Sequence, residues 1–387
     1  FAAGLEVQEG EQVYDYAWFP GAAAAEPATM CFAATCRGHP IHLWDALTGA
    51  RRASYRAYDA RDEVMAAVAV AMDPDGHRLV GGFAKAIAAW DVQRPGRDCA
   101  LWPTHSKASP GQAGLIASLH FNPDRSQLLA AGCYDGSAGV YDAGTGERAL
   151  ELVLHAKGHR AGAGVTQVQW SPDGNFLYAG ARRDGSILCW DVRHTRDEVY
   201  RLQRATGATN QRVQFDIEAG GRHLASGGED GAVRLYDLAE GRQVASFAAA
   251  ADTVNGCSFH PALPLLATAS GERVYPTAGL FSDSEAEGEA EGEAPGAGWT
   301  NALRVWQLPS AAAADAPEGG AAAAEAEAKA LTPEERKQAE EAAAFSRGVA
   351  LGDRLMFPWE RRALRGQDTP LHSWEKAYWA VFLAAMA

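Results

Sequence analysis

Short apolar runs of five or six residues recur along most of the chain, each closed by a polar turn, and they fall into groups. Val165–Trp170 leads through Ser171-Pro172-Asp173-Gly174 to Phe176–Ala181, then through Arg183-Asp184-Gly185 to Ile187–Asp191. Runs this short, rich in branched and aromatic residues and bounded by Pro, Asp and Gly, predict strands rather than helices. Pro presets φ, while Asp and Gly tolerate the dihedrals of a tight turn. The first turn recurs at Asp73-Pro74-Asp75-Gly76 and, in looser form, at Asn122-Pro123-Asp124 and His260-Pro261. The second recurs as Asp135-Gly136 and Glu229-Asp230-Gly231, a hairpin signal between strand-like runs. A fourth, outer strand follows each group, as at Arg52–Tyr58 and Gln243–Phe247.

An aromatic-Asp pair closes the third run of each group: Trp44-Asp45, Trp90-Asp91, Tyr141-Asp142, Trp190-Asp191 and Tyr236-Asp237. The successive spacings are 46, 51, 49 and 46 residues, and a degenerate copy, Trp306-Gln307, follows after a further 70. Four short strands per repeat of this length predict an all-β, WD40-type β-propeller with six legible blades. The aromatic ring is expected to pack between blades and the Asp to end the third strand. Leu5–Gln8 reads as an outer strand ahead of a first inner strand at Tyr14–Phe19. It either closes a six-bladed ring or belongs to a truncated upstream blade of a seven-bladed one.

The propeller is expected over 1–310, with an acidic insert at 281–298. An Ala/Glu-rich linker or helix follows at 311–344, where Thr332-Pro333-Glu334-Glu335 is a helix start. Trp374, Tyr378 and Phe382 stand at i, i+4, i+8 and predict an aromatic-rich helical extension over 345–387.

Charge changes the picture only when its distribution is read. The net charge of −14 argues against a nucleic-acid partner. Residues 1–280, however, hold 25 Lys+Arg against 31 Asp+Glu, and six carboxylates fall between Asp283 and Glu293. An acidic total therefore leaves room for a basic face. Between Arg182 and Arg212 lie Arg182, Arg183, Arg193, Arg196, Arg201, Arg204 and Arg212 against only four carboxylates. Arginine suits phosphate because its planar fork binds bidentately and stacks on bases; solvated loops with ion pairs are the plainer reading. Trp190-Asp191-Val192-Arg193 also forms the WD-x-R box of propellers that dock on the adaptor of cullin-4 ubiquitin ligases, with Arg193 as the docking residue.

Catalytic constellations are absent from the sequence: no G-x-S-x-G, H-E-x-x-H or phosphate-binding loop occurs. The six cysteines form no CxxC pair and the eleven histidines are dispersed, so no metal, cofactor or catalytic residue is expected. No apolar run is long enough for a membrane span. The chain begins at Phe1, which reads as a fragment boundary.

Several connecting segments are more specific than a repeat consensus demands. Tyr14-Asp15-Tyr16 with Trp18, Arg37, and Pro40-Ile41-His42-Leu43-Trp44-Asp45-Ala46 are the first, joined by Arg52–Tyr58 and Arg94-Pro95-Gly96-Arg97-Asp98-Cys99. Gly180-Ala181-Arg182-Arg183-Asp184, Leu188–Arg193, Thr209-Asn210-Gln211-Arg212 and Leu263–Gly271 continue the series. Over about residues 5–308 these segments resemble the telomerase Cajal body protein 1 family. The resemblance implies a seventh blade upstream, and a nuclear scaffold that directs particles to Cajal bodies. It implies binding of H/ACA-type small Cajal body RNA and telomerase RNA through a loop motif, the CAB box. The implied protein partners are the dyskerin-containing core, coilin and the telomerase holoenzyme. Recognition of an unpaired loop needs cationic and aromatic groups against splayed bases; Arg182, Arg183 and Arg212, with Arg37 and His39, are the residues expected to supply it.

Overall fold

The computed structural model describes residues 5, 7–23, 25–153, 164–207, 209–271 and 301–308. The expected insert at 281–298, linker at 311–344 and extension at 345–387 lie outside them.

Among the described residues, six antiparallel sheets of three or four strands follow one another along the chain. Blade 1 comprises β1 (Val13–Trp18), β2 (Cys31–Cys36), β3 (Ile41–Asp45) and β4 (Arg51–Tyr55). The two-residue strands β5 (Ala57–Tyr58) and β6 (Val64–Met65) pair with each other. Blade 2 is β7 (Ala69–Met72), β8 (Arg78–Phe83), β9 (Ala86–Asp91) and β10 (Ala100–Pro103); blade 3 is β11 (Ile116–Phe121), β12 (Leu128–Cys133), β13 (Ser137–Asp142) and β14 (Arg148–Val153). Blade 4 holds β15 (Val165–Trp170), β16 (Phe176–Ala181), β17 (Ser186–Asp191) and β18 (Tyr200–Gln203). Blade 5 holds β19 (Phe215–Ile217), β20 (His223–Ser226), β21 (Ala232–Asp237) and β22 (Arg242–Ala248). Blade 6 has three strands among the described residues, β23 (Val254–Phe259), β24 (Leu265–Ser270) and β25 (Ala302–Gln307). Each blade is a meander of neighbouring strands, the arrangement of a six-blade WD40 propeller.

Blade 3 meets blade 2 on one face and blade 4 on the other, so its middle strand Leu128–Cys133 is buried at all but its first residue. The outer strand Arg242–Ala248 is largely exposed. In blades 2 to 6 the aromatic of the repeat packs back onto the preceding blade. Trp90 sits among Ala33, Ile41 and Tyr55 of blade 1, Tyr141 among Val80, Ile87 and Trp102 of blade 2, and Trp190 among Ala130, Ala138 and Val140 of blade 3. Tyr236 packs on Ile187 and Leu202, and Trp306 on Val233 and Ala249. Trp44 is half-buried beside Phe32 and Val7. Each Asp caps the turn that follows: Asp45 accepts from the Leu47 and Thr48 N–H groups at 2.8 Å, Asp91 from Gln93, Asp142 from Gly144, and Asp237 from Ala239. Asp191 accepts from Arg193 in the same way.

Blades approach so closely that side chains must vanish at some contacts. A Cβ on Gly227 would lie 2.1 Å from the Val254 carbonyl oxygen, and one on Gly132 2.7 Å from Val165 Cγ1.

Two expectations fail locally. The described residues of Leu5–Gln8 form no strand. Instead the neighbouring Glu9 carboxylate accepts from Trp44 Nε1 at 2.6 Å and bonds His42 Nδ1 at 2.8 Å, which ties this segment to blade 1 by a side chain. Arg52–Tyr58 is not one strand either. Gly96 bridges Tyr55 in parallel and bonds Arg56 N, so β4 ends at Tyr55 and Ala57–Tyr58 pairs with Val64–Met65.

Candidate nucleic-acid interface

In a four-stranded meander, the turn between the second and third strands lies at the end where the innermost strand begins. The lead-in to the next inner strand returns to that same end. Arg37 and His39 stand between β2 and β3, Arg182 and Arg183 between β16 and β17, and Arg212 in the lead-in to β19. All five residues expected to meet RNA therefore share one end of the propeller. Arg193 follows β17 and lies at the other end.

Arg212 is half-buried and spans the inner strands of two blades. Its Nη2 donates to the Ala117 carbonyl of blade 3 at 3.1 Å and to the Thr166 carbonyl of blade 4 at 3.0 Å. Its charge acts on Asp15 of blade 1, whose carboxylate accepts from Val70 N at 3.0 Å and Tyr16 N at 3.0 Å. Loss of solvent pushes Asp15 up to about 6, against the opposing pull of Arg212.

Arg182 is held by one aromatic residue. Its guanidinium carbon lies 4.5 Å from the centroid of the Tyr134 ring, and Nη2 donates to the Tyr134 hydroxyl at 2.7 Å. Its Nε is buried without a hydrogen-bond acceptor. Arg183 is exposed, with φ of 51°, and makes no side-chain hydrogen bond or ion pair among the described residues. Arg37 is exposed and His39 half-buried, its imidazole 6.5 Å from that of His42 between centroids.

The rest of the arginine-rich stretch disperses. Arg204 is buried, donates to the Val213 and Ala181 carbonyls at 3.1 and 3.3 Å, and is lowered to about 10 by burial. Arg201 pairs with Glu198 on the outer edge of blade 4. Arg193 chelates its own turn, donating through Nε and Nη2 to Asp191 at 2.9 and 2.7 Å, and that contact holds the Asp191 carboxyl down at about 2.

The inner strands contain polar residues that the linear pattern did not bring forward. An inner strand is a sheet edge with unpaired N–H groups, and side chains of the preceding blade cap them. Asp15 accepts from Val70 N, Ser118 Oγ from Val168 N at 3.0 Å, and His120 Nδ1 from Trp170 N at 3.2 Å. Gln167 accepts from Phe215 N at 2.9 Å, and Asp216 from Phe259 N at 2.8 Å. Register irregularities immediately precede Asp15, Ser118 and Gln167 and re-aim these side chains. The available signal was a polar residue two positions from another within an apolar strand, as in Ser118/His120 and Gln167/Gln169. Among the described residues no group of three His, Cys, Asp or Glu side chains could hold a metal ion.

The WD domain, G-beta repeat family profile matches residues 104–142, 150–191 and 204–237. Telomerase Cajal body protein 1 of Bos taurus is 40% identical over 289 residues, covering 73% of this chain and 52% of the relative. The Homo sapiens protein of that name is 41% identical over 70% of this chain and 49% of the relative. The chain belongs to the telomerase Cajal body protein 1 family. It spans about half the length of these two members of the telomerase Cajal body protein 1 family. A Schizosaccharomyces pombe relative, guanine nucleotide-binding protein negative regulator 1, is 31% identical over 77% of this chain and 75% of its own length.

Proposed function

We propose that this chain is a non-catalytic scaffold that binds RNA at the end of the propeller bearing Arg182, Arg183 and Arg212. Its clients are H/ACA-type small Cajal body RNAs and telomerase RNA, recognised at an unpaired CAB-box loop. It directs these particles to Cajal bodies in the nucleus, alongside the dyskerin-containing core, coilin and the telomerase holoenzyme. The observation that carries this reading is the convergence of five cationic or imidazole residues from separate connections on one end. Arg183 supports it most directly, since its guanidinium is exposed and unengaged among the described residues. Phosphate contacts supply affinity, and unpaired bases supply the edges that side chains read.

The test is RNA crosslinking and recovery with the tagged protein. Arg182→Glu combined with Arg183→Glu is expected to abolish recovery of H/ACA RNA, and Arg183→Glu alone to reduce it without loss of fold. Undiminished recovery in both variants would sink the site. Recovery of a cullin-4 adaptor without RNA, lost in Arg193→Ala, would replace this reading with adaptor docking at the opposite end. Recovery of a guanine nucleotide-binding protein without RNA would favour the activity in the fission-yeast relative's name.

A further inference from the structure

The turns between second and third strands of blades 2, 3 and 4 form one connected surface. Lys85, in the turn of blade 2, donates its backbone N–H to the Gly114 carbonyl in the lead-in to blade 3. Tyr134, in the turn of blade 3, donates to the neighbouring Leu115 carbonyl. Gly164, leading into blade 4, is so close that a Cβ there would lie 3.0 Å from Tyr134 Cα, and its carbonyl accepts from Arg182 N. Hydrogen bonds and van der Waals contact thus run without a break from Lys85 to Arg182.

Chemistry along this surface is cationic and aromatic apart from one carboxylate in each of two turns, Asp135 and Asp184, which accept from Ser137 and Ser186 of the strands that follow. Lys85 is exposed, and its ammonium makes no hydrogen bond or ion pair among the described residues. Its φ of 59° fixes an unusual turn that turns the residue out of the sheet. Tyr134 clamps Arg182 through ring face and hydroxyl, so the guanidinium is ordered before any ligand arrives. Ordering a long side chain in advance removes an entropic cost from binding. Arg183 extends the positive charge beyond it. The surface stops at blade 5, where Asp230 repeats Asp135 and Asp184 but Glu229 stands in the place of Tyr134 and Arg183 before the Asp-Gly pair. Glu229 there accepts from Thr209 N at 2.8 Å, and Asp230 is engaged by Arg234.

We propose that a single-stranded RNA segment crosses the turns of blades 2 to 4, with Lys85 as a phosphate contact and Tyr134 as the residue that positions Arg182. This rests on the RNA reading above and names its path. Positive grooves with embedded aromatic residues are the general means of holding an unpaired strand. Glu229 gives the blade 5 turn a second carboxylate, which repels phosphate and sets the end of the path.

The experiment is a salt titration of binding to a labelled RNA hairpin, with a fully paired duplex of the same length as comparator. Lys85→Glu is expected to weaken hairpin binding about tenfold, and Lys85→Gln to lower the slope of log K against log salt by about one. Lys85→Arg should retain affinity. Tyr134→Phe keeps the ring and removes the hydroxyl contact, so it should weaken hairpin binding but leave the salt slope unchanged, because no charge is lost. Arg125→Glu, at the opposite end, should bind like the parent. If Arg183→Glu impairs binding while Lys85→Glu and Lys85→Gln do not, the path is wrong and the RNA reading stands. If the parent chain binds no hairpin, both fall. An equal loss in Arg125→Glu would overturn the path as well, since the effect would then be one of net charge.

Discussion

Arg212, held by two carbonyls that belong to blades 3 and 4, acts through its charge on Asp15 of blade 1. One side chain therefore touches two blades and acts electrostatically on a third, while its own backbone leads into blade 5. Arg212, at the end of the Thr209–Arg212 segment, thereby ties blade 5 to blades 3 and 4. That gives a physical reason for such a specific sequence in a connection where a repeat consensus asks for none.

Asp15 predicts a measurable pH dependence. Its pKa rises from the ordinary 3.8 to about 6 in the folded protein because it is desolvated, with Arg212 opposing the shift. The folded state then binds more protons than the unfolded state between those values, so this group's contribution falls as pH rises through the window. The loss amounts to at most about 3 kcal/mol above pH 6. Asp15→Asn should flatten this slope, being more favourable relative to the parent at pH 7.5 than at pH 4. Urea unfolding at both pH values reads it, and an identical parent–variant difference at the two would refute the assignment.

Tyr141→Phe tests the repeat's internal polar contacts. The Tyr141 hydroxyl donates to Gln112 Oε1 at 2.7 Å, and Gln112 is fully buried while its Nε2 bonds the Ala131 and Ser137 carbonyls. Losing the donor strands a buried acceptor, at a cost of about 1–3 kcal/mol. A lower denaturant midpoint with unchanged RNA binding is the expected result.

Gly227→Ala tests the closeness of blades 5 and 6. The added methyl would meet the Val254 carbonyl oxygen at 2.1 Å, and the neighbour is backbone rather than a movable side chain. Overpacking of this kind costs about 1–3 kcal/mol or more. Thermal unfolding should shift clearly downward; a melting curve superimposable on the parent's would mean the blades have room that the structure denies them.

Much of this fold was legible because each blade repeats its own punctuation. Val165–Trp170 and Phe176–Ala181 are strands with the very bounds read from the sequence. The aromatic-Asp pairs do what their chemistry suggests, the ring meeting the previous blade and the carboxylate capping the next turn. The arginine-rich stretch was less transparent, because a meander reverses its end with every strand. Arg183 and Arg193 are ten positions apart in sequence and sit at opposite ends of blade 4. Arg204 counted as surface charge in the linear reading but lies buried among carbonyls. Glu9 gave no sign of its role, since its partners Trp44 and His42 lie more than thirty positions away.

The capping of inner-strand N–H groups has a direction. Asp15 serves blade 2, Ser118 and His120 serve blade 4, Gln167 serves blade 5 and Asp216 serves blade 6. In each case the acceptor lies earlier in the chain than the strand it completes. During synthesis, a newly emerged inner strand therefore finds its acceptor already made. The propeller can be built in the order in which it is made, each blade serving as the template on which its successor docks.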